Sequence, residues 1–265
     1  YNRLHDGQKA LKFYEKAFEL DKIDSRILFE LDQLRKKLNY LPEDRLLFLK
    51  QFPLLVQDRD DLYIEQIALY NLTGNHAEAK VLLARRNFHP WEGGEGKVSE
   101  QYVLTHIELA KLALSDGKLN DAAELLKEAQ VYPLNLGEGK LFGAQENDVH
   151  YWLGCMYERA GNIHEALAEW EKASAGASNV SPALFYNDQQ PDKIFYQGLA
   201  LIKLGRNEEA NQRFNSLIEY GEQHLNDEVK IDFFAVSLPD MMIFDDDLDK
   251  RNKIHCHYLM GLGQL

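Results

Sequence analysis

The sequence is poor in the features that mark secreted, metal-binding and membrane proteins. Only two of its 265 residues are cysteines, Cys155 and Cys256, and they stand far apart. This spacing gives neither a disulfide framework nor a metal-binding pair, so we expect two reduced thiols within helices. No apolar run is long enough to span a membrane and no signal peptide is recognisable, which together predict a cytoplasmic location.

Basic residues are scarce beyond the first sixty positions. Residues 1–60 hold 12 Lys and Arg against 11 Asp and Glu, whereas residues 61–265 hold 18 against 32. An acidic surface repels phosphates, so we predict no nucleic-acid partner. The chain begins at Tyr1 without a methionine, and its first element reads as the second half of a helical hairpin. We therefore expect a fragment of a longer protein.

The sequence does contain an internal repeat of 43 to 44 residues. A glycine is followed five residues later by an alanine, and four residues further on by a large apolar residue. The glycines are Gly74, Gly117, Gly161 and Gly205; the alanines are Ala79, Ala122, Ala166 and Ala210; the large residues are Leu83, Leu126, Trp170 and Phe214. Small residues at this spacing let two helices cross closely, and a repeat of this length indicates stacked helical pairs.

The clearest unit reads HYWLGCMYERAGNIHEALAEWEKAS from position 150, and it resembles the tetratricopeptide pattern. Gly154 and Ala166 occupy the positions of closest helix approach, and Gly161 occupies the turn. The resemblance predicts an all-α, right-handed superhelical solenoid that forms a single domain over residues 1–265. We predict hairpins at residues 25–56, 60–87, 99–131, 147–175 and 192–220, with partial hairpins at 1–22 and 251–265.

Two loops between the hairpins repeat along with the helices. Residues 90–97 read PWEGGEGK and residues 133–140 read PLNLGEGK, so we predict that the two loops lie side by side on one edge. Their glycines, Glu and Lys could simply form turns and local caps, or the edge could dock a partner with Trp91 as its anchor. The candidate loop-edge residues are His89, Trp91, Glu92, Glu95, Lys97, Glu138, Lys140, Phe185, Tyr186 and Asp188.

A second candidate surface is the concave groove lined by the first helix of each hairpin. Its candidate binding residues are Ile64, Asn71, Ile107, Lys111, Tyr151, Glu158, Phe195 and Leu199. This largely apolar set departs from the basic clamp with which some tetratricopeptide proteins grip acidic C-terminal peptides. We expect an apolar groove to be buried, either by an apolar partner or by the apolar segment 231–244 of the chain itself.

Candidate catalytic and cofactor motifs fail on residue type or spacing. Neither Lys97 nor Lys140 is followed by Ser or Thr, and Trp91 stands where a phosphate-binding loop requires glycine. The acidic run 245–249 lacks the spaced ligands and the turn glycine of a calcium loop. The histidines are scattered and suggest no catalytic set. We therefore predict a chain that is not an enzyme and has no cofactor and no metal.

Four motifs resemble one bacterial family: FHPWEGGEGK from position 88, LFYNDQQPD from 184, FFAVSLPD from 233 and NKIHCHYLMGLG from 252. Members of this family join a β-rich domain of unknown function, similar to galactose-mutarotase sandwiches, to a C-terminal tetratricopeptide region. The resemblance covers about residues 25–265. It implies that a carbohydrate-related domain precedes this segment, and it implies no catalytic residue within the segment.

Two functions remain open at this point. In the first, the chain is a non-catalytic interaction module that docks on its own N-terminal β-rich domain or on another subunit, with a homodimer as one form. In the second, its loops complete a sugar site: Trp91, Phe185 and Tyr186 would stack on sugar rings, while the hydroxyls would bond to Glu92, Glu95, Asp188 and Asp192. We favour the first, because no acid/base pair can be placed in space.

Overall fold

The computed structural model describes residues 6–91, 93–182, 190–229 and 247–265, and within these ranges the chain is helical, as predicted. The α-helices are α1 (Gly7–Leu20), α2 (Ser25–Lys37), α3 (Pro42–Leu49), α4 (Pro53–Asp58), α5 (Asp60–Leu72), α6 (His76–Arg85), α7 (Lys97–Ser115), α8 (Leu119–Ala129), α9 (Asn147–Arg159), α10 (Ile163–Ser174), α11 (Pro191–Lys203), α12 (Asn207–His224) and α13 (Leu248–Gln264). Within the described ranges, every helix is too short or too polar to cross a membrane.

Contacts divide the described chain into two compact units. The first comprises residues 6–106 and 132–139, apart from residue 92. Its helices α2, α3, α4 and α5 pack on one another, with α1 against α2 and α6 against α5. Buried leucines such as Leu28, Leu49 and Leu62 fill the core. Prolines begin both α3 and α4, a position where the missing N–H costs no helical hydrogen bond. Pro53 therefore divides the predicted second helix of hairpin 25–56 into two short helices.

An ionic network is buried among three helices of this first unit. Arg45 of α3 donates from Nε and Nη2 to the two carboxylate oxygens of Asp32 in α2, at 3.1 and 2.6 Å. The same Nη2 donates to Oε1 of Glu65 in α5 at 2.6 Å, and Lys36 donates to that carboxylate at 3.0 Å. Burial raises the pKa of Asp32 despite its arginine partner. Burial also acts to raise the pKa of Glu65, but Lys36 and Arg45 outweigh it and lower that pKa.

The second unit comprises the described residues of 107–131, 140–229 and 247–265. Its helices pack in chain order: α9 on α8 and α10, α11 on α10 and α12, and α13 on α12. Gly154 of α9 lies directly against the ring of Trp170 in α10, and Gly198 of α11 lies against Phe214 in α12. A Cβ at either glycine would overlap the aromatic ring, so each helix pair needs a glycine at the crossing.

The repeated residues occupy the positions that the sequence predicts for them. Each of four glycines lies two residues after the end of one helix, in the turn to the next, with φ between 74° and 80°: Gly74, Gly117, Gly161 and Gly205. The four alanines five residues later are all buried. Left-handed turn residues and small contact residues thus recur together with the repeat, because each short turn brings its two helices into close contact.

Candidate docking surfaces

The two predicted loops of the first unit pack against each other. The N–H of Phe88 donates to the carbonyl of Asn135 at 2.8 Å. The side-chain amide of Asn135 donates in return to the carbonyls of Leu83 and Arg86, both at 2.9 Å. These carbonyls lie at the C-terminal end of α6, where the helix itself supplies no donor. Asn135 therefore caps a helix that lies about fifty residues earlier in the chain.

The second half of the same loop caps the start of α7. Glu138 accepts the backbone N–H of Gly96 at Oε1 (3.0 Å) and the hydroxyl of Ser99 at Oε2 (2.9 Å). A carboxylate at a helix N-terminus satisfies an unpaired donor and opposes the positive end of the helix dipole. Residues 132–139 thus bond to both the end of α6 and the beginning of α7, and we call this segment the loop clamp.

Replacing Glu138 with alanine should destabilise this loop clamp. We expect a loss of about 1–2 kcal/mol in the free energy of unfolding, because a capping acceptor and a charge favourable to the dipole are both removed. Urea denaturation followed by circular dichroism measures it. Glu95→Ala is the matched control, since Glu95 is exposed in the facing loop and should change stability little. Equal losses in the two variants would contradict the capping role.

The other predicted loop-edge residues take several different roles. Trp91 folds over Gly94 and is half-buried against the core of the first unit, so its ring is part of the packing. Lys97 is the first residue of α7 and is also half-buried. In the second unit, Lys140 donates to the carbonyl of Gln130 at 3.0 Å and pairs with Glu146 at 2.6 Å. Glu92, Phe185, Tyr186 and Asp188 lie outside the described residues, as does the segment 231–244.

His89 has an exposed side chain, and its backbone is held by Asp60. Its N–H donates to Oδ2 of Asp60 at 3.0 Å, and its ring Nδ1 lies 3.2 Å from the same oxygen. Arg86 pairs with the other oxygen of Asp60. Burial acts to raise the pKa of Asp60, but these hydrogen bonds and the guanidinium charge hold it below its usual value. The Asp60 carboxylate is therefore a fixed anchor for the start of this loop.

The predicted groove positions divide into buried and accessible residues. Ile64 and Ile107 are buried in the core, and Asn71 is buried with its amide on Gln101 and Thr105, both at 2.9 Å. These three side chains are not available to a partner in this structure, because neighbouring helices already cover them. The other five lie in the second unit and keep part of their surface exposed: Lys111, Tyr151, Glu158, Phe195 and Leu199.

Four aromatic side chains of α9 and α11 form one connected cluster, which we call the aromatic face: Tyr151, Trp152, Phe195 and Tyr196. The Tyr151 ring centroid lies 5.4 Å from that of Trp152 and 5.5 Å from that of Tyr196, and the Phe195 and Tyr196 centroids lie 5.8 Å apart. The indole N–H of Trp152 donates to the Tyr196 hydroxyl at 3.4 Å. All four side chains are half-buried, so the rings are fixed by packing yet reach solvent.

Charged residues surround the aromatic face in fixed pairs. Lys193 donates to Asp148 at 2.6 Å, and both side chains are nearly buried. Lys111 pairs with Glu108 at 2.8 Å, and its ammonium lies 5.5 Å from the Trp152 ring centroid. The carboxylate of Asp192 lies 3.9 Å from Lys193 and is more exposed. The acids and bases here are already paired with one another, which gives the rim a defined geometry.

The titratable groups on and beside this face are held in their neutral, protonated forms by burial. Burial raises the pKa of Tyr196 to about 12 and raises that of Tyr151 further, so both phenols stay protonated at neutral pH. Burial also raises the pKa of the Cys155 thiol, which keeps its reactive thiolate form scarce. The face can therefore stack, donate hydrogen bonds and exclude water, and its groups are poor general bases.

Sequence reasoning missed two members of the aromatic face and one of the two capping residues, Asn135, whereas Glu138 was among the predicted loop-edge residues. Trp152 and Tyr196 each follow a predicted groove residue, and an aromatic pair that recurs 44 positions later was the available signal. Nothing local marked Asn135, since its partners lie in another repeat. The described part of the second unit also contains a cleft of about 320 Å³ between residues 178–180 and α12, lined by Tyr220 and Glu219.

No family model matches the chain. Within the described ranges, no three His, Cys, Asp or Glu side chains are grouped so that they could hold a metal ion. The loop clamp and the aromatic face are the two candidate sites that the described residues form.

Proposed function

We propose that this chain is a protein-interaction module of tetratricopeptide-type hairpins, and that the aromatic face is its main docking surface. The hairpin assignment is supported by the glycine–aromatic crossings of the second unit and by the glycine turns that recur with the repeat. The resemblance noted in the sequence makes the N-terminal β-rich domain of the same protein the expected partner, and a second subunit is the other form of the same function.

The observation that carries this proposal is that the four rings of the aromatic face are both fixed and accessible. Tyr and Trp are the residues most enriched at the energetic centres of protein interfaces, and they lose little conformational entropy when packing already holds them. The paired charges around the rings are typical of an interface rim, which orients a partner without dominating affinity. The half-buried carboxylate of Asp192 at the rim favours a partner surface that presents a basic group beside an apolar one.

The loop clamp supports a structural role for residues 88–97 and 132–139. Asn135, Glu138 and Trp91 all bond or pack within the first unit, so the two repeated loops stabilise helix ends. This observation weakens the sugar-site alternative, which needs Trp91 to stand free on the surface. The substitutions Trp91→Ala and Glu95→Gln in the intact gene product test that alternative, because loss of sugar turnover without loss of assembly would support it.

Hydroxyl-radical footprinting of the intact gene product tests the docking proposal. We expect the oxidation rates of Tyr151, Trp152 and Phe195 to fall on the order of threefold relative to the isolated chain 1–265, because the centre of an interface excludes water. In the intact gene product, Trp152→Ala should raise the dissociation constant of assembly by about tenfold or more. Leu167→Ala is the matched control, since Leu167 is an exposed apolar residue on α10. Unchanged oxidation of all three side chains would overturn the proposal.

A further inference from the structure

The rim of the aromatic face carries a negative charge that is only partly balanced. The carboxylates of Asp148 and Asp192 both lie near one ammonium, that of Lys193, at 2.6 and 3.9 Å. Asp148 and Lys193 are nearly buried, whereas the Asp192 side chain is 35% exposed. One ammonium can balance only one of the two acids, so a negative charge is left at the more accessible carboxylate, that of Asp192.

The negative charge of the rim acts on the rings themselves. The pKa of Tyr196 rises to about 12 mainly because of burial, and the charges of Asp148 and Asp192 add to this rise. The Trp152 ring already has a cation beside it, since the Lys111 ammonium lies 5.5 Å from its centroid. A cationic side chain of a partner is therefore attracted both by the carboxylate at the rim and by the ring faces.

The rings of this face offer hydrogen-bond donors to a ligand. The indole N–H of Trp152 reaches the Tyr196 hydroxyl at 3.4 Å, which is longer than the roughly 2.7–3.2 Å of a good N–H···O bond. Within the part of the chain that the structure describes, the Tyr196 hydroxyl accepts this bond and donates none, so its proton can go to a ligand. The carboxylate of Asp148 beside it already accepts from Lys193. A ligand that fits this face brings acceptors and few donors.

A polyproline II segment meets these requirements better than a helix or a β-strand does. Its carbonyls have no internal hydrogen bonds, and its prolines have no N–H that needs an acceptor. A helix uses its carbonyls internally, and a strand brings N–H groups that require acceptors. Proline-rich segments also dock on aromatic-lined grooves. Neighbouring rings here lie 5.4 to 5.8 Å apart, close to the roughly 6 Å that two residues of such a segment span.

We propose that the aromatic face binds a proline-rich segment in the polyproline II conformation, flanked by an arginine or lysine whose side chain lies at Asp192. The inference deepens the proposed function and rests on it, since it names the chemistry of the segment that docks. The prolines pack across the rings of Tyr151 and Phe195, and a carbonyl of the segment accepts from the Tyr196 hydroxyl. The seven prolines of this chain are scattered singly, so the segment belongs to sequence outside residues 1–265.

Fluorescence anisotropy with labelled peptides and the chain 1–265 tests the proposal. The probe is a run of prolines and alanines with an arginine at each end, so that it can bind in either direction. We expect a dissociation constant on the order of 10–100 µM. Replacing its arginines with glutamate, or its prolines with alanine, should raise that constant at least about tenfold. Absence of binding at about 1 mM overturns the inference, and so does equal binding of the three peptides.

Conservative variants of the chain locate the site. Asp192→Asn removes the charge and Tyr196→Phe removes the donor, and each should raise the dissociation constant for the arginine peptide about threefold to tenfold. Glu165→Gln is the matched control, since Glu165 is an exposed acid of α10, and it should change the constant less than about twofold. Asp192→Lys should make the glutamate peptide bind more tightly than the arginine peptide. Circular dichroism checks that each variant folds.

The variants also decide whether the aromatic face is the site. If Asp192→Asn and Tyr196→Phe both bind the probe as tightly as the wild type does, the peptide binds elsewhere and the inference is wrong.

The peptide experiment and the footprinting experiment fail separately. If the aromatic face is protected in the intact gene product while no peptide binds, the docking proposal stands and the partner presents a folded surface instead of a proline-rich segment. If the probe binds while the aromatic face stays unprotected in the intact gene product, docking within that gene product is wrong and the segment belongs to a different protein.

Discussion

Replacement of Arg45 by methionine should destabilise the first unit more than any other single change in its ionic network. We expect a loss of about 3–5 kcal/mol in the free energy of unfolding, because Asp32 and Glu65 would stay buried without the shared partner that offsets the cost of their desolvation. Methionine fills a similar volume and places no charge beside the two carboxylates. Urea denaturation of the chain, followed by circular dichroism at 222 nm, measures the change.

Two further variants separate the contribution of a buried ion pair to stability from that of an exposed one. Lys36 also bonds Glu65, but its side chain is half-exposed, so Lys36→Met should cost less than about 1 kcal/mol. The double variant Arg45→Met with Asp32→Leu should recover part of the loss, since it removes the buried carboxyl group that Arg45→Met leaves without a partner. If Arg45→Met and Lys36→Met cost the same, the network contributes no more than a surface ion pair.

The second large effect is expected at the glycine of the loop clamp. Gly137 has a φ of 73°, and a Cβ there would lie 2.5 Å from the carbonyl oxygen of Phe88. The Phe88 backbone is fixed by its hydrogen bond to Asn135, so it cannot easily retreat. We expect Gly137→Ala to lower the free energy of unfolding by about 3 kcal/mol, from the strained backbone and the clash together. Thermal and urea unfolding measure it.

Gly143→Ala is a closely matched control for this prediction. Gly143 has a φ of 83° and open space around its Cβ position, so alanine there meets only the cost of the left-handed conformation, about 1 kcal/mol. The difference between the two variants isolates the close approach of the two loops. Equal losses would show that the Phe88 carbonyl moves freely, and the account of the loop clamp would then be wrong.

The repeat could be predicted from the sequence because its signals are local. A turn glycine such as Gly161 and a contact alanine such as Ala166 are five residues apart, and both act within one pair of helices. Helix starts at Pro42 and Pro53 follow from the same kind of short-range rule, although the second was missed as a break. The contact between the two repeated loops could also be predicted from the sequence, since the spacing of the loops matches the helical period.

The details of both candidate surfaces could not be predicted in the same way. Trp91 was expected as an exposed anchor, and the structure folds it over Gly94 instead. Ile64 and Ile107 were expected in an open groove and are buried in cores. In each case the residue type is compatible with either position. Only the approach of a neighbouring helix or loop decides how much of the side chain remains in contact with solvent.

The sequence by itself determined that this protein is built from helices paired around glycine turns, because helix periodicity and turn conformation depend on residues close together in the chain. The tertiary structure alone decided which polar groups end up as partners. Asn135 and Glu138 cap helix ends about forty to fifty residues away, and Arg45 bonds two acids on separate helices. Such partners are chosen by the distance between folded segments, and a buried polar group must find one wherever the fold brings it.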